Sequence, residues 1–217
     1  MIIRYNPVGD VEKFLGMDVR AEFDAEYMAK MGRPRMRLEI AQHSLVLMVN
    51  SAGALSLVPR LLEIAAGTMD HSEFKHLEEF EPGGGWWGDI EPDSPGARVE
   101  RIGPPLPLPY SFSEEIGSRR RDVWSNLALE FDVFWTRDPR TEEGQGAILG
   151  TADGLVALAR LGAQMSAPHL PEGAQVQCAR RGTPPIVLRK SDFSESVPWA
   201  VAPGRDHSAP QRSDRQK

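Results

Sequence analysis

Two stretches of this chain, "LEI…VNSAGALSLVPRLLEIAAG" and "LEF…LGTADGLVALARLGAQMSA", follow one pattern, and that repetition constrains the fold more than any other feature. Leu38 and Glu39 match Leu129 and Glu130, while Ser51, Ala52, Leu55, Arg60 and Leu61 match Thr151, Ala152, Leu155, Arg160 and Leu161. In the first copy Leu55, Val58, Leu61, Leu62 and Ala65 recur at helical spacing, and Gly67 supplies the stop. Two strand candidates precede each helix and two follow it. Hairpins, not long crossovers, join most of these strands, so each helix is expected to cover antiparallel sheet. The predicted fold is α+β: two similar β-β-α-β-β units with helices packed on antiparallel sheet, preceded by an N-terminal helical region. Apolar helices that follow apolar strands also resemble each other by chance, so an internal duplication is for the structure to decide.

Five segments follow from the pattern. Residues 1–35 form the helical region, with Asp10 as N-cap and Val11, Leu15, Val19, Phe23, Tyr27 and Met31 recurring every fourth residue. Residues 36–103 are the first unit, in which "RMRLEIA" and "SLVLMV" read as strands joined tightly near Gln42–His43. Pro59 fits its helix only in the first turn. "FKHLEEF" and "ARVERI" are the two strands that follow. Residues 104–126 are a connector, whose "PPLPLPY" admits neither helix nor central strand. Residues 127–197 are the second unit: "NLALEFDVFW" is one long strand with Leu127, Leu129, Phe131, Val133 and Trp135 inward, followed by "AILG", a helix from Thr151, "AQVQCA" and "IVLRK". Residues 198–217 lose the apolar pattern and read as a disordered tail.

Charge narrows the function. With 25 Lys+Arg against 31 Asp+Glu, the net charge is −6. That argues against sequence-independent nucleic-acid binding, which needs a basic surface, and suits a basic protein partner. Cys178 is the only cysteine, which excludes an internal disulfide and points to a reducing cytoplasm. No apolar run approaches the roughly 20 residues of a membrane span, so no membrane role is expected.

The segment "EFEPGGGWWGDIEPD" sets clustered glycines against consecutive tryptophans. Gly83 to Gly88 satisfies G-x-G-x-x-G, but Pro92 and Pro95 forbid the following helix whose N-terminus would receive a phosphate. Glu79, Glu81 and Asp89 would repel one as well. Nucleotide binding is rejected. Two readings remain: a glycine-rich hairpin loop with its indoles packed on the domain, or an interface loop that presents Trp86 or Trp87 to a partner.

Other chemistry finds no foothold. Asp70, His71, Glu73 and His76 cluster in "MDHSEFKH", but no spacing places both histidines on one ion, and no zinc motif occurs. No metal and no cofactor are expected. Cys178 sits in an alternating strand as a structural thiol, although Arg180 and Arg181 would activate it if it were exposed. His43 falls in a turn and His169 before a strand, neither with an acid partner in sequence. Glu114 and Glu115 near Arg119, Arg120 and Arg121 suit surface ion pairs in a solvated connector.

The run "ILGTADGLVALARLGAQMSAPHL…IVLRKSD" resembles small bacterial immunity-type proteins of polymorphic toxin systems. Those run strand, short Gly/Thr turn, "GL..LA..L" helix, His-containing segment and final strand. The resemblance lies in the second half alone and carries over no binding residue. It implies a non-catalytic protein that acts by binding a toxin. The expectation is a protein-binding protein that neutralises a basic toxin by occlusion, with Trp86, Trp87, Asp89, Glu79 and Glu81 on the contact surface. The alternatives are a small cytoplasmic enzyme whose catalytic set is scattered in sequence, and a structural subunit.

Overall fold

Met36 and Leu38 turn inward while Arg37 and Glu39 turn outward, so the first apolar alternation becomes strand β2 (Met36–Ala41). The computed structural model describes residues 2–5, 34–41, 43–69, 71–74, 94–115, 127–137 and 146–193. The expected N-terminal helix, Arg119 to Arg121 and the tail after residue 197 lie outside them. The remaining strands are β1 (Ile2–Tyr5), β3 (Ser44–Val49), β4 (His71–Phe74), β5 (Ala97–Arg101), β6 (Phe112–Glu115), β7 (Leu127–Glu130), β8 (Val133–Arg137), β9 (Gly146–Gly150), β10 (Gln175–Ala179) and β11 (Ile186–Lys190). The two helices are α1 (Ser51–Ala66) and α2 (Ala152–Met165).

Both predicted β-β-α-β-β orders form, and their strands interleave. One sheet runs β2-β3-β11-β10-β7 and the other β4-β5-β9-β8. Each joins a hairpin from one half of the chain to a hairpin from the other, through a parallel seam between β3 and β11 or between β5 and β9. The hairpins β2–β3, β4–β5, β8–β9 and β10–β11 are antiparallel, as expected.

Exchanging the halves maps one sheet onto the other. Leu45 faces Ile186 across the first seam as Gly146 faces Ala97 across the second, and the seams end at Val49–Lys190 and Gly150–Arg101. Matching hydrogen bonds close both ends: Leu45 N to Pro185 O at 3.0 Å with Gly146 N to Gly96 O at 3.2 Å, and Ser191 N to Val49 O at 2.9 Å with Ile102 N to Gly150 O at 2.8 Å. Among the described residues the two β-β-α-β-β units repeat one arrangement, related by a pseudo-twofold exchange.

The helix register differs by one residue from the sequence match. Asn50 and Thr151 are the N-caps, accepting from Gly53 N and Gly154 N, so equivalent positions lie 101 apart instead of 100. The cause is steric. A Cβ at Gly53 would sit 2.3 Å from the Arg35 carbonyl oxygen, and one at Gly154 2.3 Å from that of Asp132. The same two carbonyls accept from the cap N–H groups of Asn50 and Thr151. Each helix start is thus locked against the residue that precedes the first strand of its own hairpin.

Two expectations change. "NLALEFDVFW" is two strands, β7 in one sheet and β8 in the other, because the chain bends at Phe131 and Asp132, where Asp132 O reaches Thr151 N. Pro59 lies deep inside α1, outside the first turn where it was expected. Almost every α1 residue is buried, and that packing carries the helix past a missing N–H. Of the strand expected in "FKHLEEF", Phe74 closes β4, and residues 75–80 lie outside the described residues.

The two helices pack on each other. Gly162 lies against the Ala54 carbonyl and the Leu57 and Val58 side chains, and each helix touches both large sheets. The core is continuous from Leu45 and Leu47 through Leu55, Leu62 and Leu155 to Ile148 and Val176. Strand β6, paired with β1, rests on α2 with Phe112 fully buried. The "PPLPLPY" segment has no regular structure, as expected, and is pinned by Leu106 N to Ala65 O at 2.9 Å.

Candidate functional site

The alternation that buries Ile186 and Leu188 also turns Lys190 inward. Its ammonium group donates to the Ser51 hydroxyl at the start of α1, to the Met165 carbonyl at 2.9 Å and to the Ala167 carbonyl at 3.4 Å. Lys190 is 7% exposed, and burial pushes its pKa down to about 8, partly offset by the Glu172 carboxylate. The C-terminal carbonyls of α2 favour a cation there. The last turn of α2 contains no basic residue of its own, so β11 provides it.

The pseudo-twofold supplies a comparison. Arg101, the last residue of β5, donates from Nε to the Ile64 carbonyl at 3.0 Å, and Ile64 is the α1 equivalent of Met165. The equivalent of Ser51 is Ala152, so only one of the two helix junctions pairs a hydroxyl with an amine.

The other end of the central strands is where loops enter. The segment 75–96 leads into β5 and 138–145 into β9, and these strands are adjacent and parallel. On the twin sheet 179–185 leads into β11 and 41–44 into β3. A Cβ on Gly146 would lie 3.6 Å from Leu45, so the starts of β3, β5, β9 and β11 gather at one pole.

Their lengths are unequal. Between paired residues, β4–β5 takes 22 residues where its twin β10–β11 takes seven. The β8–β9 connection takes eight where β2–β3 takes four between the equivalent pairs. In sequence the two long connections carry nine acidic and two basic residues, a net −7 that exceeds the −6 of the whole chain.

The expected contact residues Glu79, Glu81, Trp86, Trp87 and Asp89 all fall in the longest connection, and they and His76 lie outside the described residues. His71 and Glu73 lie on β4, paired with Glu100 and Arg98. Among the described residues no group of His, Cys, Asp and Glu could hold a metal ion. None of the described helices is long and apolar enough to cross a membrane.

Cys178 is fully buried, its thiol meets the Ile186 carbonyl at 3.4 Å, and burial pushes its pKa up to about 12, as a structural thiol requires. Glu114 departs from the solvated connector. It lies on β6 and binds Arg160 at 2.5 Å and Gln164 at 2.6 Å, which clamps β6 to α2. Arg60 and Glu63 are buried on α1, where desolvation lowers the arginine pKa to about 10 against the opposing pull of Glu63.

The Ser51–Lys190 pair escaped the sequence reading because 139 residues separate its members. The available signal was the alternation in "IVLRK", which places a lysine on the buried face. No protein-family model, curated protein or solved structure matches this chain.

Proposed function

We propose that this protein binds a basic protein through the acidic loop pole, as an immunity protein that neutralises a toxin by occlusion. One observation carries the reading: the connection holding Trp86 and Trp87 is 22 residues long where its twin closes the equivalent hairpin with seven. The twin hairpin closes without the added length, and long connections commonly carry function. The excess negative charge favours encounter with a basic surface, and tryptophans supply binding energy once contact is made. Glu79, Glu81 and Asp89 steer; Trp86 and Trp87 anchor.

The test is binding and protection against the toxin encoded beside this protein, measured by calorimetry and by survival of toxin-expressing cells. Tight binding that weakens steeply with salt supports the reading. Absence of a neighbouring toxin, or binding unaffected by shortening segment 75–96, overturns it.

A further inference from the structure

The Ser51–Lys190 junction is more than a helix clamp. A protonated Lys190 has three N–H donors, and it has three acceptors: Ser51 Oγ, Met165 O and Ala167 O. A neutral Lys190 has two N–H donors and a lone pair. The two carbonyls accept from the former, and the lone pair then faces the Ser51 hydroxyl, which can donate to it. The same atoms satisfy both protonation states. Arg101, at the equivalent position, has no such second state, because a guanidinium does not give up its proton in proteins.

The N-terminus of α1 supplies the complementary group. Its fourth N–H, from Ala54, bonds to Asn50 O at 2.9 Å, and its third, from Gly53, bonds to Asn50 Oδ1 at 2.7 Å. The N–H groups of Ser51 and Ala52 are the remaining first-turn donors, which no carbonyl of α1 can reach. They belong to the same first turn as Ser51, a half-buried residue.

We infer that Ser51 and Lys190 form a serine–lysine nucleophile pair that hydrolyses uncharged carboxylic esters, with the Ser51 and Ala52 N–H groups receiving the oxyanion. Lys190 Nζ takes the Ser51 proton as Oγ bonds to the ester carbonyl carbon. The carbon–alkoxide bond then breaks, and the departing alkoxide takes that proton from Lys190. Solvent water next gives a proton to Nζ while its oxygen bonds to the acyl carbon. The carbon–Oγ bond breaks, Ser51 recovers the proton, and a carboxylic acid leaves. Burial that brings Lys190 near pKa 8 leaves a usable neutral fraction at pH 7–8. Lys190 closes its strand at the end opposite the loop pole, so this activity and partner binding stand or fall separately.

The intact protein is treated with a fluorophosphonate and, separately, with p-nitrophenyl acetate. The expected result is a phosphonyl adduct mapped to Ser51 by mass spectrometry, absent in Ser51→Ala. Lys190→Arg keeps a cation at the α2 carbonyls, as Arg101 does at α1, but cannot act as a base. It should label at least about 100-fold more slowly while keeping most of the wild-type stability. Lys190→Met checks the same loss if the arginine disturbs folding. No adduct, an adduct elsewhere, or equal labelling in Lys190→Arg overturns the assignment.

Discussion

Arg101 and Lys190 occupy equivalent places in the two halves, and each carries a cation from the end of a β-strand to the C-terminal carbonyl of its own half's helix, Ile64 for one and Met165 for the other. Neither helix has a basic residue in its last turn, so the strand supplies what the helix lacks. Lys190 has the more buried position and the greater number of partners. Lys190→Met should therefore lower stability by about 2 kcal/mol in urea unfolding, and Lys190→Arg should recover most of it. A neutral result for Lys190→Met would show that the clamp does not hold the junction.

The same burial fixes a pH signature. Lys190 releases its proton near pH 8 when folded but near about 10.4 when unfolded. Between those values the unfolded chain binds more protons, so this residue makes stability rise with pH. Cys178 acts in the opposite direction. Its folded thiol stays protonated to about 12 while the unfolded thiol ionises near about 8.5, so its contribution makes stability fall as pH rises above that point. Subtracting the Lys190→Arg curve from wild type should leave an upward slope above pH 8, and subtracting Cys178→Ala a downward one. Slopes of the reverse sign would contradict the burial of these groups.

The duplication makes a paired prediction at the helix starts. Gly→Ala inside a helix ordinarily stabilises by up to about 1 kcal/mol. At Gly53 and Gly154 the added Cβ meets a carbonyl oxygen at 2.3 Å, and main chain cannot yield as a flexible side chain can. Both substitutions should instead cost about 2–3 kcal/mol. Melting curves of the two variants check this, and a stabilised Gly154→Ala would break the proposed equivalence.

That pair also shows what the sequence could and could not reveal. Helices and hairpins were legible because Met36, Leu38 and the Leu55 stripe follow simple periods. The register of the repeat was readable only from the cap and the glycine three residues later, Asn50 with Gly53 and Thr151 with Gly154, because those positions bear the steric constraint. Matching hydroxyls, Ser51 with Thr151, led one residue astray. The parallel seams were not legible, since a strand buried on one face carries no mark of its neighbour's direction. The bend after Glu130 was hidden because Phe131 to Trp135 continue the alternation through it. The Ser51–Lys190 contact needed the topology, as it joins the two halves of the chain.

The loop pole gives the most direct test, because the molecule contains its own control. Replacing residues 75–93 by 179–182 of the twin's connection, with 94–96 kept because the buried Ser94 hydroxyl accepts from Leu38 N at 2.8 Å, leaves seven residues across a hairpin that pairs in the same manner. Shortening a loop of 22 residues to seven should raise stability by about 1 kcal/mol through loop-closure entropy, provided the segment makes no packing contribution. Partner binding should be lost in the same variant. Trp86→Ala and Trp87→Ala divide the two readings of the glycine–tryptophan segment at finer grain. An interface role predicts that at least one of them weakens binding by roughly 2 kcal/mol or more while leaving urea unfolding unchanged. A core role predicts a folding cost of roughly 3–5 kcal/mol. Large stability losses in the loop replacement and both tryptophan variants would assign "GGGWWG" to the core and remove it from the partner surface.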